Sequence, residues 1–223
     1  MPASNYIYPS AKIRALEPKI LDQTDIERMV DAPDFDNAFK VLNDTDYADN
    51  LLEVEPFEFR KALTNDFKQL YDLLGKITPD KRLFQLLFLE RDLVNLKLLF
   101  KAKHFEQNVD DLVEEDTVYP ISHFKKYIFE QKDIGLDKGL KNLISEAEKQ
   151  IFEDTRPDQI DAILTREYFK LIQNIANKLR NAFIKKLIKI KINNANIITF
   201  LRAKKLNLAK NQLLEKLIKG GTI

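Results

Sequence analysis

One pattern occurs twice in the sequence, at a separation of 101 residues. Residues 92–103 read DLVNLKLLFKAK, and residues 193–204 read NNANIITFLRAK. The polar and basic positions that correspond are Asn95 with Asn196, Lys101 with Arg202 and Lys103 with Lys204. A fixed period in a sequence is typical of a duplicated structural unit. We therefore predict two related helical units, residues 1–105 and residues 106–223.

The composition favours an all-α fold. Of 223 residues, 44% are apolar and 32% are charged, while only five are Gly and eight are Pro. A chain of this length and apolar content can bury a real core. There is no cysteine, so neither disulfide nor thiol chemistry is expected. The sequence shows no apolar run long enough to cross a membrane and no signal-peptide core, so a cytoplasmic location is the default expectation.

Several short patterns in the sequence indicate where helices begin. Thr24–Glu27 has the pattern of a capping box, and Pro33–Asp34 opens a further short helix. Thr78–Asp80 predicts the start of a long helix that ends near residue 103, and Ser122 is predicted to cap another helix after an acidic connection over residues 105–116.

One basic stretch is ambiguous. Residues 186–192 read KLIKIKI and alternate in the manner of a strand, but their flanks have helical spacing and contain neither Gly nor Pro. We predict a helix here.

The first copy of the repeat has the composition of a buried helix. Between Leu86 and Phe100 few positions are polar, and Asp92 and Asn95 lie three residues apart on one face. Since an unsatisfied buried polar group costs about 1 to 3 kcal/mol, we expect Asn95 and Asn196 each to bond a neighbouring helix end or loop. Contact with a partner protein is the alternative. Each copy ends in basic side chains, which stabilise a helix when they lie near its negatively polarised C-terminus. These residues are Lys101, Lys103, Arg202 and Lys204.

Charge is unevenly distributed along the chain. Residues 22–66 hold thirteen acidic and four basic side chains, whereas residues 168–214 hold eleven basic side chains and no acidic one. The basic stretch 178–191 could bind nucleic acid, lie on an anionic membrane, or form a solvated face. Its only aromatic residue is Phe183, so a platform for stacking bases is absent and nucleic acid is not the expected partner.

Residues with catalytic potential are few. The two histidines, His104 and His123, lie nineteen residues apart without the spacing of a metal site. Gly220–Gly221 lacks the surrounding pattern of a phosphate-binding loop. No catalytic, cofactor-binding or metal-binding residue is predicted.

The repeat and several other stretches resemble a known family. They are similar to the C subunit of the archaeal and bacterial A-type and V-type ATPases, which is related to the d subunit of the eukaryotic V-ATPase. The resemblance is carried by residues 10–17 (SAKIRALE), residues 41–47 (VLNDTDY), the two copies of the repeat, and Gly220–Gly221. One departure is Asn193, at a position where that family usually has Asp.

The resemblance implies a mechanical role. Members of that family consist of three helical units, of which this sequence would hold two. They form a funnel-like, non-catalytic cap between the rotor shaft and the membrane ring of proteolipids, and couple ATP turnover to H+ or Na+ transport. The partners implied are the shaft subunits and the ring, with membrane association through the complex. The alternative is a free-standing helical-repeat scaffold that binds a protein or nucleic acid through its basic half.

Overall fold

The fold is all-α. A computed structural model describes residues 3–52, 54–113 and 117–222, and these contain ten α-helices and no strand. The helices are α1 (Ile7–Leu16), α2 (Gln23–Val30), α3 (Phe35–Val41), α4 (Phe59–Ile77), α5 (Lys81–Phe105), α6 (Ile121–Glu130), α7 (Lys138–Glu148), α8 (Pro157–Leu179), α9 (Ala182–Lys205) and α10 (Lys210–Lys216). Short 3-10 helices cover Ala3–Tyr6, Glu17–Lys19, Leu42–Asp44, Ala48–Leu51, Pro56–Glu58 and Asp110–Leu112.

Packing divides the chain into two compact units, Met1–Phe84 and Gln85–Ile223. This is a division by contacts. The predicted repeat units, residues 1–105 and 106–223, concern the duplication of sequence, and their boundary stays a prediction. Part of the predicted connection over residues 105–116, residues 114–116, lies outside the described residues.

The first unit contains three short helices, α1 to α3, the 19-residue α4 and a small core. The side chain of Asp22 accepts a hydrogen bond from the Asp25 amide, and the side chain of Asp25 accepts one from the Asp22 amide. The capping box of α2 is therefore formed by two aspartates, and the box predicted at Thr24 is wrong, since Thr24 already lies in the first turn. The predicted start of α3 is confirmed, because Asp34 caps the amide of Asn37. The buried core residues are Phe39, Leu51 and Ala62.

The second unit holds the main core. Buried leucines of α5 share one cluster with apolar residues of α6, α7, α8 and α9; fully buried members include Leu96, Leu99, Phe124, Ile144, Leu164 and Ile192. The prediction that Leu86–Phe100 is buried on most sides is confirmed, with Leu87 and Val94 as exposed exceptions.

Helices α8 and α9 form a hairpin that is connected by two residues, Arg180 and Asn181. Arg180 adopts a left-handed conformation with φ of 53° directly after α8. Asn181 then caps α9 by accepting a hydrogen bond from the Ile184 amide at 3.2 Å. The stretch KLIKIKI lies inside α9, so the helix prediction is confirmed. The apolar–polar alternation does not indicate a strand here, because only one narrow side of α9 is buried. The buried residues of α9 are Ile188, Ile192, Asn196 and Ala203.

Candidate functional site: the polar positions of the two repeat helices

Asp92, the first residue of the repeat pattern in α5, binds the chain segment that leads into α6. Asp92 is fully buried, and its two carboxylate oxygens accept hydrogen bonds from the backbone amides of Val118 at 3.0 Å and Tyr119 at 3.1 Å. Burial raises the pKa of Asp92 from its ordinary 3.8 to about 6, although these two hydrogen bonds act in the opposite direction. Asn95, three residues further along, is also fully buried.

A second set of polar contacts extends this support to the start of α7. The Tyr119 hydroxyl donates to Asp137 Oδ2 at 2.6 Å, and Gln85 Nε2 donates to the same oxygen at 2.8 Å. The other carboxylate oxygen of Asp137 accepts from the Leu140 amide and caps α7. Burial and the bond to Asp137 raise the pKa of the Tyr119 hydroxyl. One face of α5 therefore fixes both the segment before α6 and the first turn of α7.

The equivalent positions of α9 also bind the backbone of the segment that follows. Asn196 Nδ2 donates to the carbonyl of Ile218 at 2.9 Å, and the Ile218 amide donates to Asn196 Oδ1 at 2.8 Å. Asn193 donates to Thr222 Oγ1 at 2.7 Å and accepts from the Thr222 amide at 2.8 Å. Asn196 is buried, and these two bonds give its side-chain amide the partners that a buried polar group needs.

Asp92 and Asn193, at equivalent positions of the two copies, each bind the segment that follows their helix, but with different hydrogen-bonding groups. In the first copy the incoming segment presents two amide donors, which a carboxylate can accept with both oxygens. In the second copy Thr222 presents one amide donor and one hydroxyl acceptor, which match the two ends of an amide side chain. The Asn at position 193 therefore fits its own surroundings.

The cations at the end of α5 make tertiary contacts that the sequence did not reveal. Lys101 Nζ lies 2.8 Å and 2.9 Å from the two carboxylate oxygens of Asp161 on α8. Lys103 Nζ donates to the Ile128 carbonyl at 2.9 Å and to Glu148 at 3.1 Å. The helix-dipole argument foresaw a favourable charge at this helix end, but partners on α6, α7 and α8 cannot be located from spacing within α5.

The corresponding cations of α9 are exposed. No ion pair to Arg202 or Lys204 is found among the described residues, and Lys204 Nζ lies 5.8 Å from the centre of the Phe200 ring. Nearby, Lys97 is half-buried in the wall of a cavity of about 690 Å³ between α5, α8 and α9. Burial lowers the pKa of Lys97; the negative charges of Asp161 and Glu90 act against this shift, and the positive charges of Lys101 and Arg202 act with it.

The residues with catalytic potential stay apart. His104 stacks edge-on against Phe105 with ring centres 4.6 Å apart, while His123 lies in α6. Within residues 3–52, 54–113 and 117–222, no group of three or more His, Asp or Glu residues could hold a metal ion. Gly220 has φ of 103° and packs against Gln173, which donates to the Lys219 carbonyl at 3.1 Å. Gly220 thus serves a close approach to α8.

In the part of the chain that the structure describes, none of the helices combines the length and the apolar character that crossing a membrane requires.

The fold and the two repeat helices define an all-α protein in which long helices hold the following segments through buried polar side chains. A family model described as "ATP synthase (C/AC39) subunit" matches residues 9–223. The chain belongs to this ATP synthase C/AC39 family, which confirms the resemblance noted from the sequence.

Individual relatives are described as the C subunit of an A-type ATP synthase. The A-type ATP synthase C subunit of Desulfurococcus sp. (strain SY) is 29% identical over 232 residues, which cover 98% of this chain and 62% of the relative. That of Thermococcus kodakarensis is 28% identical over 231 residues, with the same coverage. The equivalent protein of Methanocaldococcus jannaschii is 30% identical over 105 residues, or 44% of this chain. The chain spans about 62% of the length of the first two relatives.

Proposed function

We propose that this chain acts as a non-catalytic central-stalk subunit of an A/V-type rotary ATPase. It would link the rotor shaft to the membrane ring of proteolipids at the cytoplasmic face, and so couple ATP hydrolysis or synthesis to H+ or Na+ transport. The observation that carries this proposal is the family match over residues 9–223. We also propose that residues 1–105 and 106–223 are the two helical repeat units of this protein, with Asp92, Asn95, Lys101, Lys103, Asn196, Arg202 and Lys204 as the repeat motif.

The polar contacts of the repeat helices support a mechanical role. A protein that transmits torque needs helices that keep their positions under load. Buried hydrogen bonds between helix side chains and loop backbone have defined lengths and directions, because any displacement leaves polar groups unsatisfied at a cost of about 1 to 3 kcal/mol each. Asp92 and Asn196 each make two such bonds to the segments that follow them.

Reconstitution of the complex tests the coupling role. ATP hydrolysis and ATP-driven ion uptake are measured on the complete complex and on a complex assembled without this protein. We expect hydrolysis to continue in its absence while ion uptake is lost, and its addition to restore uptake. Equal ion uptake with and without this protein would refute the role.

The alternative function is a scaffold that binds a protein or nucleic acid through the basic half. Exposed lysines on α9, namely Lys185, Lys186 and Lys189, favour this alternative. A pull-down at low salt distinguishes the two, with the shaft subunits, the proteolipid ring and a nucleic-acid duplex offered separately. Retention by shaft or ring supports the stalk role, whereas retention by the duplex alone supports the scaffold.

A further inference from the structure

The second unit contains a cavity with an excess of positive charge in its wall. This cavity, called here the α5–α9 cavity, has a volume of about 690 Å³, and its wall is formed by residues of α5, α8, α9 and the segment 206–218. Small-molecule sites in proteins typically have volumes of about 300 to 1,000 Å³. All of these residues lie within Gln85–Ile223, so the cavity belongs to one compact unit.

The three carboxylates in this wall are already paired with lysines. The pairs, with the distance from nitrogen to oxygen, are Glu90 with Lys191 at 2.9 Å, Asp158 with Lys216 at 2.9 Å and Asp161 with Lys101 at 2.8 Å. Each carboxylate charge is thus matched by one lysine. The excess of positive charge comes from those cations of the wall that take no part in these pairs.

Two cations of the wall have no carboxylate partner. The side chains of Lys97 on α5 and Arg202 on α9 make no ion pair and no hydrogen bond among the described residues. Burial is the main cause of the lowered pKa of Lys97; the negative charge of Asp161 opposes this shift and the positive charge of Arg202 adds to it. An anion bound beside both side chains would offset the cost of holding one half-buried cation near another.

Two hydroxyl groups of the same wall also lack a partner. Tyr168 is 3% exposed, and its hydroxyl makes no hydrogen bond to the residues that the structure describes. Thr199 of α9 is half-buried, and its hydroxyl likewise has no partner there. Because buried polar groups in proteins are nearly always hydrogen-bonded, the Tyr168 hydroxyl in particular is expected to bond to a molecule within the cavity.

We propose that the α5–α9 cavity binds a small organic phosphate, whose phosphate group contacts Lys97 and Arg202 and accepts hydrogen bonds from Tyr168 and Thr199. A phosphomonoester carries a charge of about −1.5 to −2 at pH 7 and has three acceptor oxygens. It therefore matches two unpaired cations, whereas a carboxylate would match one. Arginine in addition binds phosphate through two parallel N–H groups. The site does not depend on the stalk function.

The apolar part of the wall indicates that the ligand is larger than inorganic phosphate. Leu93 of α5, Phe169 of α8 and Ile198 of α9 all line the cavity, as does Ile218. A phosphate ion would leave these side chains facing water, whereas an organic portion of the ligand would cover them. We therefore expect a phosphate group attached to an apolar or aromatic body.

Phenyl phosphate is a suitable probe, and its binding to the 223-residue chain is measured by titration calorimetry at constant ionic strength. We expect one molecule to bind per chain, about tenfold more tightly than inorganic phosphate, because the ring covers apolar surface. Benzoate should bind about tenfold more weakly than phenyl phosphate because it carries a single charge, and phenol should not bind measurably. Vesicles that contain phosphatidic acid form a further arm, because their headgroup offers the same phosphate chemistry at a membrane.

Three variants test the residues of the site. Lys97→Gln and Arg202→Gln should each weaken phenyl phosphate binding about tenfold. The matched control is Lys189→Gln, which removes the same charge from an exposed position of α9 outside the cavity wall and should leave the affinity unchanged. Tyr168→Phe should weaken binding about threefold to tenfold without lowering the thermal stability of the chain, since its hydroxyl has no partner to lose among the described residues.

Binding of phenyl phosphate that depends on positions 97 and 202 but not on position 189 supports the proposal. Absence of binding at millimolar concentration overturns it, and so does an equal loss of affinity in Lys189→Gln, which would indicate attraction by net charge alone. Equal affinity for benzoate would overturn the choice of phosphate. Binding to the vesicles that depends on positions 97 and 202, without binding of phenyl phosphate, would overturn the choice of a soluble ligand.

Discussion

Asp92 makes the stability of the second unit depend on pH in an unusual direction. A buried carboxyl whose pKa is raised binds a proton more tightly in the folded chain than in the unfolded one. Ionisation therefore costs stability as the pH rises from about 4, the ordinary range, to about 6, the value in the fold. The rise from 3.8 to about 6 corresponds to roughly 3 kcal/mol. The loss is complete above about pH 7.

The substitution Asp92→Asn removes the titration at this position. We expect the free energy of unfolding of the unaltered chain to fall by about 3 kcal/mol relative to the variant between pH 4 and pH 7. At pH 4 the folded Asp92 is protonated and, like the amide of Asn, offers one oxygen that accepts well from the amides of Val118 and Tyr119, so we expect the two chains to be of similar stability there. Urea unfolding at pH 4, 5, 6 and 7 measures the free energy of unfolding of the unaltered chain and of the variant. The difference between these two values at each pH is then compared.

The sign of the difference tests the direction of the pKa shift. If the two hydrogen bonds outweighed burial, the pKa of Asp92 would be depressed and the unaltered chain would gain stability relative to the variant as the pH rises. Parallel profiles would show that Asp92 does not titrate differently in the two states. Asp158→Asn, compared with the unaltered chain between pH 2 and pH 4, serves as a control of opposite sign, because Arg156 and Lys216 lower the pKa of Asp158 to about 2. Its stabilising contribution is present above about pH 4 and is lost as the pH falls towards 2.

Two further predictions concern the end of the chain. Asn196→Ala leaves the amide and carbonyl of Ile218 without partners and should lower the free energy of unfolding by about 2 to 4 kcal/mol. Asn193→Ala, at a half-exposed position, should lower it clearly less. Equal losses of the two variants in thermal or urea unfolding would contradict this. Gly220→Ala should cost about 1 to 3 kcal/mol, because φ is 103° and the new methyl group would lie 2.2 Å from Gln173 Oε1. Adding Gln173→Ala should recover part of this loss, and no recovery would mean that the backbone strain alone accounts for it.

Local signals in the sequence were sufficient for the long helices. Pro157 is the first residue of α8. Helix α5 starts at Lys81, two residues after the start predicted with Thr78 as the N-cap and Pro79 as the first helical residue. Short helices were less predictable, because several neighbouring residues can cap. Ser122 lies inside the first turn of α6, whose N-cap is Pro120, so the cap predicted at Ser122 is wrong.

The candidate site could be predicted only in part. That polar residues of the repeat bond loop backbone follows from the cost of burying an unsatisfied group, and the structure shows such bonds for Asn196. The bonds from Val118 and Tyr119 to Asp92 could not be predicted, because they join residues 26 and 27 positions apart through a fold that spacing does not encode. The same holds for the pairing of Lys101 with Asp161, which are 60 positions apart.

The repeat explains why one pattern can have two physical outcomes in the same chain. Glu90 and Lys191 are equivalent positions of the two copies, and they pair directly at 2.9 Å, so α5 and α9 are neighbours at matched points along their lengths. An apolar pattern such as that of α5 or α9 indicates which residues can be buried, while the segment available to cover them decides whether they are. Helix α5 has that cover in α6, α7 and α8. Helix α9 keeps the same apolar pattern, and its exposed residues are those that the cover of α5 would bury.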